Sequence, residues 1–288
     1  MEQSNAVFFH NAYINADSTE LDRLWSEVAP KTLIKFYPAT YKKDGRNHFL
    51  EHLRTRSLWL SSPAMFNDPF DSVINFDCRS QVEQWSRAIL NLFVDEETAQ
   101  AIMAMEGAKE ALENEKTRFQ DEIDRIHRKF ENSIYTTCFT EKNNLRSLRM
   151  WGHYANSHAG VCAEYSFFDV NNASNFGCIP IKYSDSYEYL ITTQNLAENS
   201  FNFLKLYTKS SEWQYEREWR VSQQRENYDG NGYSIKFVLP KRVYIGCKAD
   251  DRLKNDVILE CKKHGIELYQ MTMRPGSFCL DITKLPTY

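Results

Sequence analysis

The feature that most constrains this chain is a succession of short β-like runs with helical segments between only some of them. The runs are Thr32–Tyr37, Leu58–Ser61, Ser133–Phe139, Gly160–Phe167, Cys178–Tyr183, Glu218–Ser222, Tyr233–Val238, Arg242–Ile245, Glu267–Met273 and Phe278–Ile282. Apolar residues recur at helical spacing in Asp17–Ala29 (Leu21, Leu24, Trp25, Val28), in Asn47–Arg56 (Phe49, Leu50, Leu53) and in Asp250–His264 (Leu253, Val257, Leu259, Cys261), and a further helix is expected over Gln194–Ser210. This order predicts an α+β fold with a mainly antiparallel sheet and flanking helices.

Between the second and third β runs the character changes. Gln81–Lys129 is charged, rich in Ala and Glu, free of Pro, and interrupted only by Gly107. Such a stretch predicts two or three helices in succession. It carries no chemical cluster, so residues 80–130 read as a helical insertion or lid within a single α+β domain of residues 1–288, and as a surface for a partner protein. An apolar fraction of 42% with 14% aromatics suffices for a packed core and argues against disorder. A formal charge of −4 gives no general footprint for nucleic acid. No run approaches the roughly 18 consecutive apolar residues of a membrane helix. The first residues, Met1–Asn15, lack the basic start and apolar run of a signal peptide. The seven cysteines are scattered with no C-x-x-C pair, which predicts reduced thiols, no structural zinc and a cytoplasmic protein.

The densest chemistry lies in Trp213-Gln214-Tyr215-Glu216-Arg217-Glu218-Trp219-Arg220. Read as a strand, it puts Glu216, Glu218 and Arg220 on one face and Tyr215, Arg217 and Trp219 on the other. Like charges sharing a face repel, so the pair points to a cation, a ribose or a proton in transit; the competing reading is a solvated pair neutralised by nearby Arg and Lys. A second candidate is the loop Ser61-Ser62-Pro63-Ala64-Met65-Phe66-Asn67-Asp68-Pro69-Phe70-Asp71, where Asn-Asp-Pro is turn chemistry and Phe66 and Phe70 are expected to anchor the loop in the core. A third is Trp151–Gly160, a short helix running into a strand, in which Trp151, His153 or Tyr154 could meet a ligand. His153 and His158 stand five apart, which is not the spacing of a helical metal pair. The chain has no Rossmann glycine motif, no P-loop and no G-x-S-x-G elbow.

Three phrases in order, LWLSSPAMFNDPFD, MWGHYANSHAGVCAEY and W-x-Y-E-x-E-W-R, resemble a bacterial family known as domain of unknown function 2971, over about Leu33 to Gly246. In order of elements the chain also resembles ADP-ribosyltransferases, whose split sheet holds NAD in a cleft. That resemblance implies a first-strand basic position at Lys35, a second-strand hydroxyl at Ser61 or Ser62 on the nicotinamide ribose, and an E-x-E formed by Glu216 and Glu218. It further implies NAD as substrate and a macromolecular acceptor, protein or nucleic acid, as in a toxin or antiphage defence effector. Glu218 would stabilise the sugar cation and Glu216 would orient or deprotonate the acceptor. Asn67, Asp68, Trp151, His153 and Tyr154 would complete the binding site, and Arg220 would oppose any upward shift of the carboxylate pKa values. Two other readings stay open. One is a metal-assisted nuclease or phosphodiesterase using Asp68, Asp71, His153, His158, Glu216 and Glu218, with Lys42, Lys43, Lys205 and Lys209 toward phosphates. The other is a non-catalytic sensor or interaction module.

Overall fold

A computed structural model describes residues 3–15, 17–72, 82–84, 86–87, 90–174, 177–185, 203–225 and 230–286. The expected helices begin one residue inside their predicted starts because the first residue of each is a cap. Asp17 accepts from the Glu20 amide ahead of Ser18–Glu27. Asn47 accepts from the Phe49 and Leu50 amides ahead of His48–Thr55, and Asp250 from the Leu253 amide ahead of Asp251–His264. Left-handed Arg56 and Gly265 end the last two. The segment after Gln81 contains the helices Glu96–Ala104 and Glu106–Glu131, as its composition predicts. An additional helix, Gln3–Ile14, buries Phe9 and Ala12. Of the helix expected over Gln194–Ser210, residues 194–202 lie outside the described residues; 203–206 are helical, and Thr208–Lys209 is a strand.

The strands are β1 (Thr32–Tyr37), β2 (Ser57–Ser61), β3 (Ile134–Glu141), β4 (Val161–Ser166), β5 (Cys178–Pro180), β6 (Lys182–Tyr183), β7 (Thr208–Lys209), β8 (Glu218–Gln224), β9 (Gly232–Lys236), β10 (Arg242–Ile245), β11 (Glu267–Met273) and β12 (Leu280–Lys284). The main sheet runs β12-β11-β10-β4-β1-β3-β2-β9, with β8 on β3 and β5 on β8. Among the described residues every pair is antiparallel except β10–β11 and β6–β7.

Strand β3 is where the sheet divides. Along one edge it pairs with β8 from Ile134 to Thr140. Its other edge is shared: β1 takes Thr140 and Glu141, and β2 takes Thr136. Over residues 137–139 neither strand follows β3, and the Cys138 carbonyl there accepts a hydrogen bond from Lys35 Nζ at 3.0 Å. A carbonyl left without a ladder partner at such a gap needs another, and the lysine amine supplies it.

The larger apolar core fills one face, where Leu33, Tyr37, Ala163, Tyr165, Val243 and Ile245 meet Phe49, Leu53, Leu253 and Val257 of the helices. A smaller core on the other face gathers Ile34, Phe36, Cys162, Tyr244 and Met271 around Trp151. The alternation along β1 and β4 feeds both cores, as expected for a sheet covered on two sides. Among the described residues no helix is long and apolar enough to cross a membrane.

Candidate active site

In β3 and β8, polar side chains alternate with apolar ones in step. The register pairs Thr140 with Glu218, Cys138 with Arg220 and Thr136 with Ser222, so these six share one face. Phe139, Val221 and Trp219 occupy the opposite face, where Trp219 meets Phe9 and Phe167 edge-on. Glu216 is not part of this strand. It ends a 3₁₀ turn, Ser211–Glu216, and Arg217 follows in the left-handed region with φ 47° and ψ 51°. That kink corrects the strand reading of 215–217. Asn144 Nδ2 fixes the turn by donating to the Tyr215 carbonyl at 2.9 Å and to the Glu216 carbonyl at 2.8 Å, and the Thr140 hydroxyl also donates to the latter.

The kink still delivers both carboxylates to one cation. Lys209 Nζ lies 2.8 Å from Glu216 Oε2, 3.3 Å from Glu218 Oε2 and 3.3 Å from Asp71 Oδ2. Arg220 bridges the same set, with Nε 2.6 Å from Glu218 Oε1 and Nη2 2.6 Å from Asp71 Oδ2. It also donates to the Leu206 carbonyl at 2.6 Å and to Ser72 Oγ at 3.2 Å. Trp213 covers the Lys209 ammonium and Phe66 covers the guanidinium. All five charged residues are buried. Three carboxylates thus face two cations in direct contact, and the two glutamates respond in opposite directions. For Glu216, burial and then the Glu218 charge outweigh Lys209 and push its pKa up to about 7. Glu218 is also opposed by burial, but Arg220 and then Lys209 hold it well below the usual carboxylate range, helped by the Cys138 thiol, which donates to it.

This network forms one wall of a cavity of about 420 Å³ that opens at the sheet split, within the size range of small-molecule sites. Strand β1 contributes Lys35, β2 contributes Trp59 and Ser61, β3 contributes Thr136 to Thr140, and Glu216, Glu218, Asp71 and Lys209 line it as well. Burial holds the Lys35 amine below its usual pKa, opposed by Cys138 and Glu218. Ser61 Oγ accepts from the Trp59 indole N–H at 3.0 Å. Tyr154 reaches the same space and its hydroxyl donates to Glu216 Oε1. Deeper in, Tyr37 donates to Tyr165 at 2.9 Å, Tyr165 to His52 Nε2 at 2.9 Å, and His52 Nδ1–H to the Ser57 carbonyl at 2.8 Å. The carbonyl can only accept, which fixes the neutral tautomer, and burial lowers the His52 pKa to about 4.

Of the residues expected at the site, Lys35, Ser61, Asn67, Tyr154, Glu216 and Glu218 line this cavity. Arg220 lies behind it as the partner of Glu218. The other four are placed elsewhere. Ser62 is buried as the cap of the turn Pro63–Met65, accepting from the Ala64 amide. Asp68 Oδ1 is engaged by the Phe70 amide at 2.9 Å, an Asx turn. Trp151 is fully buried, its indole N–H donating to the Leu145 carbonyl at 2.7 Å and its ring against Phe36. His153 is exposed on its short helix, Leu148–Tyr154, and does not line the cavity. Nor does Phe70 anchor the loop, since 59% of it is exposed. Lys205 and Lys209, expected toward phosphates, are both buried.

Asp71 and Lys209, expected only as a metal ligand and a phosphate contact of a nuclease, instead pair with each other and with the glutamates, a meeting with no local sign because they stand far apart in the chain. The alternation Thr136, Cys138, Thr140 was a readable sign of a polar strand face. Among the described residues no group of His, Cys, Asp and Glu side chains stands so as to hold a metal ion, and the place where Asp71, Glu216 and Glu218 converge is taken by Lys209. Cys138, Cys162, Cys178, Cys247, Cys261 and Cys279 are free thiols, while Cys78 lies outside the described residues.

No curated protein and no solved structure matches the chain. A family model described as "Protein of unknown function (DUF2971)" matches residues 150–221, a span that takes in Tyr154, Lys209, Glu216, Glu218 and Arg220 and two of the three phrases singled out above.

Proposed function

We propose that the cavity at the sheet split binds NAD and that the protein transfers ADP-ribose to a macromolecular acceptor. The observation that carries this reading is that Lys35 of β1, Ser61 of β2 and Glu218 of β8 line one cavity where β1 and β2 part along β3. In the reaction, the bond between nicotinamide nitrogen and ribose C1′ breaks, its electron pair leaves with nicotinamide, and positive charge develops on the sugar. Glu218 is suited to stabilise that charge. It is ionised and held from both sides, so it needs no reorganisation when the charge appears. Glu216, with a pKa near neutrality, suits the proton of the attacking acceptor. Lys35 supplies a cation on the first strand for the pyrophosphate. A cytoplasmic setting accords with the free thiols, and a macromolecular acceptor would suit a toxin or antiphage effector.

The test is nicotinamide release from NAD by purified protein, with whole-cell lysate as the acceptor source, and NAD binding by calorimetry. Glu218→Gln should lower the rate by about 10²- to 10³-fold while NAD still binds. Wild-type protein that neither binds NAD nor releases nicotinamide would end this reading.

A further inference from the structure

Resting on that reading, we infer that Tyr154 is the group through which Glu216 acts: its phenol meets the acceptor and relays the acceptor's proton to the carboxylate. Both oxygens of Glu216 are already engaged, Oε2 by Lys209 at 2.8 Å and Oε1 by the Tyr154 hydroxyl. Both line the cavity, but Glu216 is buried whereas Tyr154 is only half-buried. An acceptor entering the cavity therefore meets the phenol oxygen, whose own proton already points at Glu216.

The step balances. As the acceptor atom bonds to C1′ and nicotinamide leaves as a neutral base, the acceptor's proton passes to the Tyr154 oxygen. The original phenolic proton passes to Glu216 Oε1, and Glu216 ends as the acid. Tyr154 begins and ends neutral. This agrees with its raised pKa, caused first by burial and then by the Glu216 charge, which excludes a standing phenolate. The groups that set the proton affinity of Glu216 are Glu218 of β8, Lys209 of β7 and Tyr154 itself, while Tyr183 of β6 and Tyr215 in its own turn feel its charge, and Asp71 and Arg220 face the same network.

The experiment compares wild type, Tyr154→Phe, Glu216→Gln and the double variant in the NAD assay with lysate, across pH 5 to 9. Wild type should gain rate as pH rises through about 7, because Glu216 must be ionised to accept. Each single variant should lose at least 10²-fold in kcat, keep its KM for NAD, and lose that limb of the pH profile. The double variant should be no slower than either single one, since the two act as a unit. A Tyr154→Phe enzyme that keeps the wild-type rate and pH limb overturns the relay, as does one whose loss lies only in KM, which would make the ring a binding surface. If Tyr154→Phe melts early, Glu216→Gln with an unchanged pH limb overturns it equally. Wild type inactive on NAD overturns both the relay and the reading beneath it, whereas an active wild type with an unaffected Tyr154→Phe overturns the relay alone.

Discussion

At the scale of residues, the site is a problem in charge counting. Asp71, Glu216 and Glu218 share Lys209 and Arg220, and the surplus negative charge is felt at Glu216. Its folded-state pKa of about 7 lies above the ordinary 4.5. Between those values the folded protein holds a proton that the unfolded chain has released, so this group's contribution to stability falls as pH rises through that window. Glu218 works the other way: its contribution is present above the ordinary carboxylate pKa and is lost only as pH falls through its depressed folded value. Glu216→Gln should therefore match wild type near pH 4.5 and exceed it at pH 8 by on the order of 3 kcal/mol, read from urea unfolding at both pH values. A variant less stable than wild type at pH 8 would mean that Lys209 requires the ionised partner. The carboxylate pair was legible in the chain because two glutamates two apart among aromatics is an uncommon pattern. That Lys209 and Asp71 meet it was not, because a contact between distant positions leaves no local periodicity.

At the scale of elements, helices and strands were read almost to the residue wherever capping chemistry or alternation marked them. Asn47, which begins the predicted Asn47–Arg56, caps the helix with two backbone bonds. The turn after Trp151 was harder. Asn156, Ser157 and His158 are successive left-handed residues, and the amide of His158 donates back to the Trp151 carbonyl at 3.0 Å. The phrase containing His153 and His158 thus shapes a backbone turn. Gly160 follows because a Cβ there would lie 2.2 Å from the Tyr37 carbonyl oxygen, where β4 enters beside β1. Gly160→Ala should cost roughly 1–3 kcal/mol. Gly152→Ala, in the helix just before, has open space around it and should be neutral or stabilising by up to about 1 kcal/mol. In thermal melts only Gly160→Ala should lose stability; equal losses would contradict the close approach at Gly160.

At the scale of the molecule, the cavity exists because one strand edge serves two partners. Where β1 and β2 separate along β3, a carbonyl is left over, and Lys35 binds it while facing the cavity. Replacing Lys35 by Met keeps most of the side-chain volume but removes both the charge and the partner of the Cys138 carbonyl, so stability without ligand should fall by about 1–3 kcal/mol. The thermal shift on adding NAD should shrink markedly. For wild type, NAD at a hundredfold excess over its Kd should add about 2.7 kcal/mol, and a Lys35→Met protein with the full shift would remove Lys35 from the binding site. The sequence by itself determined the α+β class, most element boundaries and the carboxylate pair, because periodicity, capping and turn chemistry act over a few residues. Only the tertiary structure decided that Ser61 rather than Ser62 faces the cavity, that Trp151 belongs to the core, and that Glu216 reaches the site from a turn. Those outcomes depend on strand register and on which distant side chains meet, and burial then sets the electrostatics that local sequence cannot carry.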